Sequence, residues 1–594
     1  MALLAGVPAL SAQQLRSAAP VAAWPTLRVG RAAAAVRLDG RLDDPVWATA
    51  DSIDGLTQVE PREGGPASSR TVVKVLLQGS ALVIGVRAED PDPSRITAFV
   101  RDRDASQANE DHIRIVLDTY LNGRSGYVFS VNPNGARYDA LVASQGASEN
   151  ADWDAVWESA VARSASGWSA EIRIPAKSLL FGRGLTEWGF NVQRRVQRLQ
   201  EVSRWASANR DTKINMTSRA GRLVDLPLLA LGAGLSIRPS IVERGGIATA
   251  GGQFTGTRDA SLDVTQRLGA NALASLTVNT DFGETEVDTR RSNLTRFPLF
   301  FPEKRSFFLE GSDIFDFGLG LGTSSGQSGD VLPFFSRRIG LLNGQGVPLR
   351  GGLKVNGRAR GTNYGALVVR TGGVDTLPTG TELAVIRVQR NVLSESTVGA
   401  IATLGDPTGR GRSWLAGTDL TYQTTHFRGN KNLLAGAWAL QANRDGLTGR
   451  RSAFGAKIDM PNDLLNVAVS YKWIGDGFDP SLGFVPRRGV QILNANAVYQ
   501  PRPKAPILGL RVRQMFNESL NTLVTDLHGR WESYRVFTAP VNWRLESGDR
   551  LEFNVAPAGE RLTAPFEIAK GVTIPAGSYH WTRWRLEGGL AAKR

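Results

Sequence analysis

Few side chains in this 594-residue sequence are spaced for covalent chemistry. GTSSG (322–326) has the form G-x-S-x-G. A nucleophile elbow needs a strand before that serine and a helix after it, and here a Gly/Ser loop surrounds it. No P-loop, GxGxxG or HExxH occurs. A glycosidase needs two carboxylates about 5–10 Å apart across a cleft. Glu110 with Asp111, and Asp154 with Glu158, are the pairs on offer, and spacing alone does not make either converge. The four histidines, His112, His426, His528 and His580, are scattered. The absence of cysteine removes disulfides, iron–sulfur clusters and thiolate zinc sites. Oxygen ligation of a hard cation remains. Asp90 and Asp92 in AEDPDP, Asp102 and Asp104 in RDRD, and Glu110 with Asp111 could serve it. Asp90, Asp92 and Asp111 are taken as candidate ligands of a structural Ca²⁺, although Asp-Pro turns and strand-end salt bridges explain the same residues equally well. No other cofactor is implied.

The elements that carry these residues are β-strands. Between about 36 and 225, short alternating runs are separated by Gly and Pro: VVKVLL (72–77), ALVIGVRAED (81–90), HIRIVLDT (112–119), YVFSVNP (127–133), GWSAEIRIP (167–175) and EWGFNVQRRV (187–196). They predict two packed antiparallel sheets. From about 235 to 590 the strands lengthen. LLNVAVSYKW (464–473) puts Leu465, Val467, Val469, Tyr471 and Trp473 opposite Asn466, Ala468, Ser470 and Lys472. SWLAGTDLTYQ (413–423), VFTAPVNWRL (536–545) and RLEFNVA (550–556) divide in the same way, the second with Phe537, Ala539, Val541, Trp543 and Leu545 on one face. An apolar face opposite a strongly polar one is what lipid outside and water inside require. About 350 residues of this pattern predict roughly 16–18 strands at about 20 residues per strand and turn. The fold class is therefore all-β, an antiparallel β-sandwich followed by a large antiparallel transmembrane β-barrel. The division is 1–30, a remnant signal peptide and linker; 31–225, the sandwich; and 226–594, the barrel, with an aromatic and charged insert near 293–341.

Composition limits the partners. Lys plus Arg is 70 and Asp plus Glu is 56, a formal charge of +14. The basic residues are interleaved with acids, and the densest cluster, Arg194, Arg195 and Arg198, lacks aromatic neighbours, so nucleic acid is not an expected partner. The longest apolar run past the N-terminus, Leu226 to Ile237, is too short for a membrane helix. MALLAGVPALSAQQ reads as an export signal lacking its basic start. Export to a bacterial outer membrane follows, with the sandwich periplasmic or surface-exposed and lipid around the barrel. The chain ends LEGGLAAKR without the terminal aromatic of such barrels, and an incomplete C-terminal edge is expected.

LDGRLDDPVWATAD, VVKVLL…ALVIGVRAEDPDP, EDHIRIVLDT, GWSAEIRIPAKSL and WGFNVQRRV…SRWAS together resemble the family 9 carbohydrate-binding module. DFGETEVDTRRSNLTRFPLFFPEKRSFFLEG and FDPSLGFVPRRG (478–489) resemble the domain of unknown function 5916, which follows such modules in outer-membrane proteins. The first resemblance implies saccharide binding between two aromatic faces, hydroxyls being met by polar groups. The two sandwiching tryptophans align with Ala108 and Ile214, and the polar contacts with the region of Arg114 and Ser130, so the usual platform is missing. Trp153 and Trp157 in ENADWDAVWES, with Arg101 and Asn150, are the replacement candidates; the alternative is that both tryptophans are core residues. The expected function is glycan binding at the cell envelope, linked to polysaccharide breakdown or uptake. The alternatives are a transport or assembly barrel whose sandwich is a plug or docking module, and a hydrolase of O-glycosyl bonds.

Overall fold

The computed structural model describes residues 24–143, 146, 148–229, 233–247, 254–280, 293–301, 303–318, 331–342, 345–373 and 379–591. The export-signal reading, GTSSG and DFGETEVDTRRS lie outside them. The described chain is all-β, with one four-residue α-helix, Ser306–Leu309, and short 3₁₀ turns.

The first part is a two-sheet sandwich. Glu158–Ser164, Gly167–Pro175, Ala81–Glu89 and Thr71–Gln78 form the smaller sheet, in that order, with Gly30–Arg31 and Ser52–Asp54 at its edge. The larger sheet runs Thr26–Arg28, Gly221–Val224, Trp188–Val196, His112–Asp118, Gly126–Val131, Arg137–Ala143 and Ser148–Asn150. Two edge pairings are parallel, Thr26–Arg28 with Gly221–Val224 and Gly30–Arg31 with Thr71–Gln78; the long strands pair antiparallel. Alternation fixes which side chains meet between the layers. Val73, Val75, Ile84, Val86, Trp168 and Ile172 from one sheet pack on Ile113, Ile115, Phe129, Phe190 and Val192 from the other.

The second part is one continuous sheet of 17 strands, from Leu235–Ile247 to Gly577–Gly589. Val512–Met515 and Asn517–Asp526 are two parts of one run interrupted at Phe516, so the first and last strands run in opposite directions. Among the described residues no pairing joins them, and both remain edges. One face exposes Leu353, Val368, Ile386, Trp414, Leu420, Phe454, Ile458 and Val469. The other buries Lys354, Asn356, Arg387, Gln389, Asp419, Thr421, Ser470, Lys472 and Glu552. The buried face also carries Leu367, Val369, Leu383, Val385, Ile401 and Leu415, which cluster with Phe307, Phe308 and Phe315 of the insert, so the unusual face is the exposed one, where large apolar side chains point outward. In VFTAPVNWRL the expected single apolar face is corrected. A register shift between Thr538 and Val541, around Pro540, changes the phase mid-strand, and Ala539 is fully buried while Val536 is exposed.

The connections divide by length. At one end they are short, 360–361, 393–395, 428–430, 462–464 and 546–549, with the twelve-residue 500–511 as the exception. At the other most are longer, 372–381, 405–412, 475–489 and 563–576, with 527–530 the short exception.

Candidate functional site

The sandwich stands on the short-turn end of the long sheet. Phe181 N–H donates to the Ala270 carbonyl at 3.1 Å, and Ala270 belongs to the sandwich core. Arg124 Nη2 donates to the carbonyls of Ser394 at 2.9 Å and Ser396 at 3.2 Å. Lys431 pairs with Asp211 at 2.5 Å. Arg502 bridges Asp463, at 2.6 Å, and Glu60. Each contact meets a different turn.

The insert lies against the buried polar face. Lys354 Nζ donates to the carbonyls of Phe307 and Glu310, and Arg358 pairs with Asp313. Arg387 holds Asp419 through Nη1 at 2.5 Å and Nη2 at 2.9 Å, while its Nε donates to the Asp316 carbonyl at 3.1 Å. Asp419 also accepts from Gly318 N–H at 3.1 Å. A Cβ at Gly399 would stand 2.5 Å from Arg387 Nη1, so glycine makes room for this pair. Phe317 packs edge-on to Trp438, and Arg296 reaches Glu560, near the sheet's far edge. The same segment thus touches strands from Leu349–Ala359 to Arg550–Leu562, which requires the sheet to curl around it.

The family 9 aromatic platform is absent, and its position is filled. Ile214 is buried against Val116, Val128, Ala140 and Val142. Beside it, Glu149 accepts from Arg114, from Tyr138 Oη at 2.8 Å and from Asn215.

Trp153 and Trp157 do not replace that platform. They are 4% and 2% exposed and pack on Tyr127 and Phe129 in the sandwich core. Trp157 Nε1 donates to Asp139 Oδ1 at 2.9 Å. Their spacing of four reflects core packing, and neither ring offers a face to a sugar. Arg101 is exposed, and Asn150 donates to Ser312 Oγ of the insert at 3.3 Å, so the four candidates form no common site.

Each calcium candidate is engaged by another group. Asp90 is buried against Arg198, whose Nη2 lies 2.5 Å from Oδ1. Asp92 accepts from Ser94 Oγ at 2.6 Å, and Asp111 from Thr97 N–H at 3.0 Å. The carboxylates that do converge, within 4.8 Å of one another, are Asp104, Asp139 and Asp154. Arg103 Nη2 sits on two of them, 2.6 Å from Asp139 and 3.0 Å from Asp154, supplying positive charge where a cation would. The glycosidase pairs are likewise engaged. Both Glu110 oxygens are taken, by Val100 N–H at 2.8 Å and Asn132 Nδ2 at 2.8 Å. Asp154 and Glu158 pair with different arginines, Arg103 and Arg173.

A groove of about 190 Å³ opens on the smaller sheet, lined by Arg41, Asp43, Arg87, Ser164, Ser166 and Ser169 among others. Its wall is pinned from below. Glu171, fully buried, accepts from Asp39 N–H and Gly40 N–H through Oε2 and from Trp47 Nε1 through Oε1, each at 3.0 Å. Burial pushes that carboxyl above its usual range. Gly40 has φ +83°, and a Cβ there would lie 2.5 Å from the Val161 backbone, so glycine is required. Ser169 Oγ donates to the Gly40 carbonyl at 2.6 Å. Among the described residues, neither the Arg41 nor the Arg87 guanidinium has a carboxylate partner, and no hydrogen bond or ion pair ties these six side chains to the long sheet.

Residues 258–346 match the Domain of unknown function (DUF5916). No curated protein matches the sequence. Among solved structures, a candidate carbohydrate-binding protein from Bacteroides uniformis ATCC 8492 is similar at 9% identity, covering 34% of this chain and 99% of that one, with a TM-score of 0.28. At that score the likeness bears on neither fold nor function. The DUF5916 match takes in the strand Ala272–Thr280 and most of the insert, the segment around which the sheet curls.

Proposed function

We propose that the protein is a saccharide-binding module fixed to a plugged outer-membrane β-barrel. The observation that carries the reading is the outward face of the long sheet, where large apolar side chains stand exposed while charged ones such as Lys354 and Arg387 are buried. Such a surface is stable only if lipid covers it. Sixteen antiparallel runs form an even number whose first and last strands run in opposite directions, as closure demands. The mostly short turns on the sandwich side support a periplasmic position for the sandwich, by the usual rule for such barrels. The insert fills the lumen as a plug. The saccharide part rests on the family 9 resemblance and on the groove at Arg41, Asp43 and Arg87, where guanidinium, carboxylate and hydroxyl groups converge on open space. In this account the sandwich captures a glycan by hydrogen bonding, without bond cleavage, beside a barrel whose plug controls passage.

A second reading, a docking module with no sugar site, is favoured by one observation: the face that would hold the family's ligand is filled by Ile214 and the Glu149 network. The test is calorimetric titration of the full chain in nanodiscs with neutral and acidic oligosaccharides, beside Arg41→Gln/Arg87→Gln. The proposal expects binding that the double variant weakens. Absence of binding to every saccharide would favour the docking module.

A further inference from the structure

We infer that the groove on the smaller sheet selects an acidic saccharide, one whose sugar carries a carboxylate. The inference rests on the saccharide reading above and names its ligand class.

Two guanidinium groups, Arg41 and Arg87, line the groove with no carboxylate partner among the described residues. Other arginines of the sandwich are neutralised by acids. Arg70, Arg103, Arg114, Arg198 and Arg210 all pair with Asp or Glu. Two exposed guanidinium groups with no salt-bridge partner, beside open space, suit a carboxylate, which a guanidinium can grip through two parallel hydrogen bonds. Ser164, Ser166 and Ser169 supply hydroxyls, and Asp43 an acceptor for sugar O–H groups. Asp43 also disfavours a ligand that is anionic throughout, such as a polyphosphate, and suits one that mixes a single carboxylate with hydroxyls.

Trp168 also borders the groove but is 2% exposed and belongs to the core, so no indole face is offered. Without aromatic stacking, charge must carry the discrimination, and affinity should fall with salt. The wall is preorganised. The loop bearing Arg41 and Asp43 is held by Glu171, Gly40 and Ser169, so little ordering cost falls on binding.

The experiment uses the full chain in nanodiscs and two probes, an oligogalacturonate and the same oligosaccharide fully methyl-esterified. At low salt the acid form is expected to bind at least about tenfold more tightly, the size of one lost charge-assisted contact. Arg41→Gln/Arg87→Gln should abolish that preference, and 0.5 M NaCl should reduce it. Equal binding of both probes, or a preference untouched by the double variant, would overturn the inference while leaving a saccharide site in place. Failure of both probes and of neutral glycans to bind would overturn the saccharide reading itself.

Discussion

Asp419→Ala should release the plug. In the folded chain Arg387 and Asp419 have side-chain exposures of 0% and 1%, and the pair ties the insert to the wall through the Asp316 carbonyl and Gly318 N–H. Removing the carboxylate leaves a buried guanidinium without its counter-charge. Breaking a buried pair in this way costs about 3–5 kcal/mol. Undocking the insert lets water reach Arg387 and recovers much of that cost, so the opening equilibrium shifts by up to about two to three and a half orders of magnitude. Lys304 and Arg305 in the insert are trypsin sites, and Arg305 is buried. When opening is fast relative to cleavage, the cleavage rate follows the open population. Trypsin should therefore cut the variant at this segment faster than the wild type, by up to about a hundred- to several-thousandfold, in detergent micelles where the strands stay intact. Arg387→Met/Asp419→Leu, which leaves no unpaired charge, should recover most of the protection. Wild-type cleavage of Asp419→Ala would refute the reasoning.

Three further outcomes are expected. Burial pushes the Asp111 carboxyl up to about 6 and the His112 imidazole down to about 4. The Asp111 contribution is present below its unfolded pKa near 4 and is lost as pH rises to 6. The His112 contribution is present above 6.5 and is lost as pH falls toward 4, and each is worth about 3 kcal/mol. The two oppose each other, and the stability difference between wild type and Asp111→Asn should change by about 3 kcal/mol, in favour of the variant, as pH rises from about 4 to 6, by urea denaturation followed by tryptophan fluorescence; a pH-independent difference would contradict the assignment. Trp157→Phe removes the donor to Asp139 and should cost about 1–3 kcal/mol while leaving glycan affinity unchanged, because the ring lies in the core; a calorimetric loss of affinity in the folded variant would return it to the site. Arg502→Ala leaves Glu60 and Asp463 without their shared cation, and protease cleavage in the linker near 226–234 should accelerate by about three- to tenfold if the sandwich is held at the turns.

Strand-level organisation was legible wherever one face differs from the other. SWLAGTDLTYQ alternates in burial as its residues do: Trp414, Ala416, Leu420 and Tyr422 out, Ser413 and Asp419 in. The phase change in VFTAPVNWRL was not legible from alternation, although Pro540, which cannot donate to a ladder, was the available signal. Trp153 and Trp157 show the limit of spacing. A gap of four puts two rings on one side, but only the packed partners Tyr127 and Phe129 tell that this side faces inward. The groove was invisible for the opposite reason. Arg41, Arg87 and Ser164 are far apart in sequence, and pairing of Gly167–Pro175 with Ala81–Glu89 brings them together. Even so, Gly40 within LDGRLDD and the unpaired Arg87 at the end of a long strand were readable as a turn and an outward cation. The Arg387–Asp419 pair needed three neighbouring strands, with Gly399 between.

The central claim is that lipid covers the exposed face of the long sheet, and single-cysteine spin labelling tests it most directly because the chain has no native cysteine. Labels at Trp414→Cys, Ala416→Cys, Leu420→Cys and Tyr422→Cys would be compared in nanodiscs with labels at Ser413→Cys, Leu415→Cys and Thr421→Cys. The account predicts that oxygen, which partitions into lipid, collides with the first set and not the second, with period two along the strand. Equal access of a water-soluble nickel chelate to the first set would contradict it.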